Sequence, residues 1–347
     1  MPPTPEALTR RGIPVDPQLR VLAIGSFATR FGGGAVTTTS AIYFTRHVGF
    51  SVAEVALATS IAGLASLAAS LPAGHLGDTR GPREVLMWIM ALAAVATPLP
   101  VLARSPLVLA ILLGAEAALA ASANAVRNGI IAQIAIGGRG VAFKAYLRAV
   151  TNSAIGLGSL AGGAALLVDT TAAYVAVFVG AGVLTALAAW NSTRLVHLPP
   201  HPVAAGEPRL AVLRDRPYVA VCLATSVFAT HFVVAELGVA LFVSQRTNAP
   251  TVIIAVMLLL NTLAVTLLQV RLSRSADSVP RGGRALVRGS LLIAAGFAFI
   301  GFAEGMPPWA AVTVLVAGAL VHVAGEIVGS SGTWALQMGL APHERQG

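Results

Sequence analysis

The sequence predicts an all-α membrane protein, a polytopic bundle of about ten transmembrane helices. Three observations carry this: a composition too apolar for water, apolar stretches of bilayer length that recur along the chain, and basic residues gathered on alternate loops.

Of 347 residues, 56% are hydrophobic and 11% charged, whereas soluble domains carry about a quarter charged residues. With a mean hydropathy of +0.79, one soluble core could not enclose the apolar excess, so lipid must solvate much of the surface. Cys222 is the single cysteine. No internal disulfide and no thiolate metal site can form, and its apolar surroundings predict a small buried hydrophobe.

A bilayer core of about 30 Å takes about 20 helical residues. Stretches of that kind fall at roughly 20–45, 52–73, 84–103, 106–130, 146–168, 171–190, 217–244, 250–270, 285–304 and 308–336. Residues 1–19 form a proline- and arginine-bearing tail with no apolar run, neither a signal peptide nor a span. The longest polar interruption begins at His197-Leu-Pro-Pro-His-Pro and continues through Arg209, Arg214 and Arg216. This proline-stiffened linker, residues 191–216, separates a six-helix bundle at 20–190 from four helices at 217–347.

Loops on one side carry Arg10, Arg11, Arg20, Arg80, Arg83, Arg139, Lys144, Arg148, Arg194, Arg209, Arg214, Arg216, Arg271, Arg274, Arg281, Arg284, Arg288 and Arg345. The other side has Arg46, Arg104 and Arg246. Because cytoplasmic loops collect Lys and Arg, both termini are expected in the cytoplasm, in a cell (inner) membrane. The same asymmetry explains the net charge of +9 without a nucleic-acid partner.

After the second span the chain reads Gly74-His-Leu-Gly-Asp78-Thr-Arg80-Gly81-Pro-Arg83. Glycines let the backbone reverse, and an acid and two arginines sit where they can pair and engage helix ends. The Gly-x-Leu-x-Asp-x-x-Gly-x-Arg spacing between spans two and three resembles the signature loop of the major facilitator superfamily of secondary transporters. Arg271-Leu-Ser-Arg274-Ser-Ala-Asp277-Ser-Val-Pro-Arg281-Gly282-Gly-Arg284 resembles a second copy at the equivalent place after the linker. The resemblance implies two related helical halves, six plus six spans, of which six plus four are present. The ending Gly339-Leu-Ala-Pro-His-Glu-Arg-Gln-Gly347 is similar to the loop that leads into an eleventh helix, so a truncated chain is expected. In the family the acid matching Asp78 holds the inward gate closed against that helix, which implies a gating role for Gly74, Asp78, Arg80, Gly81 and Arg83.

In the fifth span Gly158-Ser159-Leu-Ala-Gly162-Gly163 puts small residues on one face, a pattern for close helix packing. The run is also similar to the glycine-rich fifth-helix motif of the family's proton-coupled antiporters, with Ser159 at the proline position. That resemblance points to export.

Charges inside spans are costly and are paired or functional. Counting about 1.5 Å per residue, Arg30 and Glu116 both fall near the midplane. The first and fourth helices are neighbours in the fold the resemblance implies, so a pair across the central cavity is expected, either mechanistic or a structural salt bridge. Asn124 and Arg127 in span four, with Arg148 and Asn152 in span five, are expected to form a cytoplasmic polar cluster: a gating network, or arginines snorkelling to the interface. His231 and Glu236 lie in span seven, and His322 and Glu326 one turn apart in span ten. Two ligands without a third do not make a metal site, and no cofactor is expected; proton carriage fits better, since buried carboxyls and imidazoles titrate readily. Glu326 has a structural alternative, a pair with an arginine of the preceding cytoplasmic loop. Asn261 and Gln269 are expected to bond between helices.

The expected activity is secondary transport by alternating access: proton-coupled efflux of a small amphipathic organic compound, with Glu116 ahead of Glu236 and Glu326 as proton carrier. Nutrient uptake by symport is the alternative within transport. A membrane-embedded enzyme is the reading from another class, but the His-Glu-x-x-His and Gly-x-Ser-x-Gly signatures are absent, as is the Gly-x-x-x-x-Gly-Lys loop of an ATP-driven pump. The partners implied are a small-molecule substrate, protons and the lipid bilayer.

Overall fold

The computed structural model describes residues 14–135, 139–200, 215–273, 276 and 278–340. Arg10, Arg11, Arg209, Arg214, Arg274, Asp277, Arg345, most of the tail and linker, and the segment after Leu340 lie outside the described residues.

The described residues are helical almost throughout. The order is α1 (Pro17–Ile42), a π turn (Tyr43–Val48), α2 (Val52–Arg80), α3 (Pro82–Ala96), a 3-10 turn (Leu99–Leu102), α4 (Pro106–Ile134), α5 (Arg139–Val168) and α6 (Thr171–Ser192). After the linker come α7 (Arg216–Val233), a second π turn (Val234–Gly238), α8 (Val239–Arg246), α9 (Val252–Leu272), α10 (Val279–Gly301) and α11 (Pro308–Leu340).

Local chemistry sets most boundaries. Asp16, Ser51, Ser105, Thr170 and Asp215 each accept a hydrogen bond from a backbone N–H of the first turn that follows, which satisfies a donor that has no partner within the helix. Ser51 and Glu54 close a reciprocal capping box. Pro17, Pro82 and Pro106 stand at helix starts, where a missing N–H costs nothing.

Among the described residues, eight helices are long and apolar enough to cross a membrane: α2, α3 with its 3-10 turn, α4, α5, α6, α9, α10 and α11. The two other expected passes are α1, which carries Arg30 and several Ser and Thr residues, and α7 with α8, interrupted by the π turn. Large apolar side chains point outward along these helices, Leu167 at 90% and Leu71 at 81% exposure. Such exposure is incompatible with water and natural in hydrocarbon. Cys222 is half-buried rather than buried.

The described residues gather into two compact units, one of residues 14–135 with 150–200, the other of residues 139–149 with 215–340. The start of α5, to Ala149, thus belongs with the second unit. Within the first unit, Tyr43, Phe44, Tyr174 and Phe178 build a buried aromatic cluster, and α5 packs on α1 through glycine. A Cβ on Gly158 would collide with the Phe31 carbonyl oxygen, and one on Gly162 would reach the Ala35 carbonyl oxygen at 2.7 Å. Gly163 departs from the expected packing set: a Cβ there would meet nothing within 4 Å, because it points away from α1.

Within the second unit, α10 and α11 form a glycine seam. Gly282, Gly289 and Gly296 on α10 face Gly318, Gly325 and Gly332 on α11 so closely that an added Cβ at any of them would meet atoms of the other helix. Small residues that let backbones touch are the usual means of holding helices together in lipid.

Candidate functional site

On one face of α11, His322, Glu326 and Ser330 recur every fourth residue, a polar stripe on a largely apolar helix. All three are buried. The α10 seam fixes this helix: the Cβ of His322 lies against Gly296, and its ring packs on Phe297 with centroids 4.9 Å apart.

Glu326 is the hub. One carboxylate oxygen accepts from Arg148 Nη2 of α5 and the other from Asn261 Nδ2 of α9, at 2.7 Å. Arg148 Nη1 donates to Ser330 Oγ at 2.8 Å, and its guanidinium lies 5.2 Å from the centre of the Phe232 ring. Side-chain exposure is 4% for Glu326 and 18% for Arg148. Charges so far from water persist only with excellent pairing, which the two-sided hydrogen bonding of Glu326 supplies.

Two imidazoles adjoin this pair. His231 of α7 donates from Nδ1 to the Phe228 carbonyl, which leaves Nε2 as the free ring nitrogen. Its ring centroid is 5.4 Å from that of His322. Both rings feel the charge of Glu326, and His231 also that of Arg148. The Nε2 atoms of both histidines are buried without a hydrogen-bond partner among the described residues. One turn nearer the C-terminal end of α11, Gln269 of α9 donates to Ser331 Oγ at 3.2 Å and to the Ile327 carbonyl at 3.3 Å.

The structure redistributes several residues from their expected groupings. Glu326 takes Arg148, not an arginine of the loop before α10. Arg30 and Glu116 are close enough for their charges to interact, yet they are not among the ion pairs under 4 Å of the described residues. Arg30 is exposed, and its charge also acts on the buried Arg127. Asn124 is exposed and Asn152 half-buried. For Glu236 only the backbone is described, in the π turn Val234–Gly238.

The Gly74 to Arg83 segment is less of a loop than expected. Helix α2 continues to Arg80, so Gly74 and Asp78 are helical, and the chain reverses at Gly81 alone, with φ +97°. Arg83 donates to the Thr193 carbonyl at 2.6 Å and pairs with Glu84 at 3.5 Å. Glu84 in turn meets His197 Nδ1 at 3.0 Å. These contacts tie the start of α3 to the end of α6.

Ser330 and Phe232 were not among the residues singled out from sequence, although the 322, 326, 330 spacing announces the former. The seven-residue spacing of glycines at 282, 289 and 296, and at 318, 325 and 332, likewise announces the seam. Among the described residues no three His, Cys, Asp or Glu side chains come together as a metal site would require.

Among the described residues, the helical, multi-pass fold with a buried ion pair defines the class as a polytopic membrane protein. The chain belongs to the Major Facilitator Superfamily, whose family model matches residues 22–347. Solved structures agree. The human organic anion transporter MFSD10 is 14% identical with a TM-score of 0.66, covering 95% of this chain and 87% of that one. A bacterial homologue of the iron transporter ferroportin, in its outward-facing state, is 15% identical with a TM-score of 0.64, covering 94% and 86%. The proton:xylose symporter XylE is 13% identical with a TM-score of 0.60, covering 95% and 82%. At such identities the likeness establishes the fold. No curated protein sequence matches the chain. The family is one of transporters, so the chain is a membrane transporter rather than an enzyme.

Proposed function

We propose that the chain is a proton-coupled secondary transporter that moves a small amphipathic organic compound across a cell (inner) membrane by alternating access, with its termini in the cytoplasm. The observation that carries the coupling is the Glu326 hub. A carboxylate held by Arg148 and Asn261 can exist charged inside a membrane, and proton uptake would cancel the charge that holds Arg148. Glu326 therefore takes precedence over Glu116, which is less buried and has no ion-pair partner within 4 Å among the described residues. Asp78, Arg83 and the turn at Gly81 serve the cytoplasmic gate in this reading.

Export is the direction supported by the glycine run of α5, although Gly158 and Gly162 also have a packing role against α1. Uptake by symport is a second reading, favoured by one observation: the partner of the carboxylate is a cation that protonation would release.

Reconstituted protein in liposomes with an imposed proton gradient tests the coupling. Wild type is expected to accumulate a transported compound against its gradient and Glu326→Gln to equilibrate it only. Unaltered gradient-driven accumulation by Glu326→Gln would refute the assignment.

A further inference from the structure

The groups around Glu326 are an arginine, an amide, a hydroxyl and two imidazoles. Arg148 from α5 and the amide of Asn261 from α9 donate to its carboxylate, the Ser330 hydroxyl accepts from Arg148, and the Glu326 charge reaches the rings of His231 from α7 and His322 from α11. On α10 the neighbour is the apolar Phe297. Lys144 stands one turn before Arg148 on the same helix. Glu326 is thus one carboxylate inside a cationic, donor-rich shell, and two buried imidazole nitrogens in that shell have no partner among the described residues.

A buried polar atom without a partner is costly, and two side by side at a charged centre mark a place shaped for something else to bind. Apolar surfaces adjoin it: Phe232 under Arg148, Phe228 against His231 and Phe297 against His322. We propose that this shell is the receptor for an organic monoanion, a carboxylate on an apolar ring or chain, which takes over the Arg148 charge when Glu326 accepts a proton.

The inference rests on the reading of Glu326 as proton carrier and adds the charge of the solute. It also fixes the stoichiometry. While Glu326 is ionised, its charge repels the anion and occupies Arg148. Once its carboxylate has become a carboxylic acid, the anion can pair with Arg148 and hydrogen-bond to Asn261 and to the Nε2–H of His322. Proton and anion are then bound together and travel in the same direction, as a neutral pair, so the inference goes with the uptake reading by symport and not with export. Loss of the proton on the far side restores the Glu326 charge and expels the anion. An exchanger of cations would instead need an acid-lined receptor for which solute and proton compete.

The test uses the purified full chain and three probes that share one ring system: 2-naphthoate, 2-naphthamide and 2-naphthylmethylamine. Calorimetric titration at about pH 5.5 and about pH 8, both above the ordinary carboxylate range, in buffers of different ionisation enthalpy, reports affinity and protons taken up. Naphthoate is expected to bind about tenfold or more tighter than the amide, since a hydrogen-bonded charge pair is worth at least that factor, and to bind more weakly at the higher pH. Near pH 8 about one proton should enter per anion bound, and Glu326→Gln should abolish both the uptake and the pH dependence.

Equal or tighter binding of the amide or the amine, or no naphthoate binding by wild type, would overturn the anion receptor, even with proton-coupled flux intact. Selective naphthoate binding without proton uptake would support the receptor and remove Glu326 as carrier, so the two failures are distinct. The wild-type selectivity decides the matter if Glu326→Gln does not fold.

Discussion

Gly289 of α10 and Gly329 of α11 touch backbone to backbone: a Cβ on Gly289 would collide with the Cα and the amide nitrogen of Gly329. Gly329 itself leaves room for the Phe228 ring, the same ring that packs on His231 with centroids 4.7 Å apart. The seam therefore fixes both the α10–α11 spacing and one wall of the polar site.

Gly289→Ala is expected to destabilise the protein by about 1–3 kcal/mol, the usual cost of forcing extra volume into a packed interior. Gly283→Ala, six residues earlier on α10 where a Cβ meets nothing within 4 Å, should be neutral or gain up to about 1 kcal/mol from helix propensity. Thermal unfolding in detergent compares the two. Equal melting temperatures would mean that the seam does not hold the helices.

The Arg148–Glu326 pair makes a separate prediction about stability. Removing one partner of a buried pair strands the other, at about 3–5 kcal/mol, so Glu326→Gln and Arg148→Met should each lower the unfolding temperature markedly. The double variant is expected to be more stable than the sum of the two losses implies, because neither charge is left alone. A double-mutant cycle by thermal or denaturant unfolding measures that coupling; additivity would show that the two side chains do not support each other.

A smaller cluster in the first unit responds to acid. The Tyr174 hydroxyl donates to Asp169 Oδ1 at 2.6 Å, and His47 places Nε2 on the same oxygen at 3.1 Å and Nδ1 on Thr171 Oγ1 at 3.1 Å. The Tyr174 hydrogen bond, then the His47 contact, hold the Asp169 carboxyl below its ordinary range. Its folded-state pKa is depressed, so the stabilisation is fully present above the unfolded-state pKa and is lost as pH falls through the folded-state value. Melting temperature should therefore drop in acid more steeply for wild type than for Asp169→Asn. Because the carboxylate is solvent-exposed the effect is small; parallel acid limbs would contradict it.

How much of this was legible in the sequence differs by residue. Every apolar stretch read as a span is helical, because length and composition alone decide what can lie in lipid. Helix α2 ran past its expected end at Ala73, since Gly74, His75 and Asp78 look like punctuation in sequence but are accommodated as the last turns of a long helix. The polar site was half visible. His322 and Glu326 stand out as costly residues in a span, whereas the partner of Glu326 comes from 178 positions away, and no local pattern encodes that distance. Arg30 and Glu116 show the converse: equal depth is readable by counting residues, but depth does not specify contact. The glycine period of α10 and α11 was readable and marks the tightest packing in the second unit.

The turn between α2 and α3 allows strain to be separated from charge. Gly81 adopts φ +97° and ψ +115°, a region that residues with a Cβ avoid at a cost of about 1–3 kcal/mol. A Cβ there would also come within 2.9 Å of Glu84 Oε2, pushing that carboxylate off His197 and Arg83. Gly81→Ala is therefore expected to lower stability by about 1–3 kcal/mol and to slow transport, if the turn gates the cytoplasmic side as proposed. Glu84→Gln breaks the same contacts without altering the backbone. Its side chain is 38% exposed, so its loss should cost under about 1 kcal/mol. Unfolding and flux measured for both variants decide between the causes. If Glu84→Gln slows transport as much as Gly81→Ala does, the ion pairs rather than the backbone turn govern this end of the molecule.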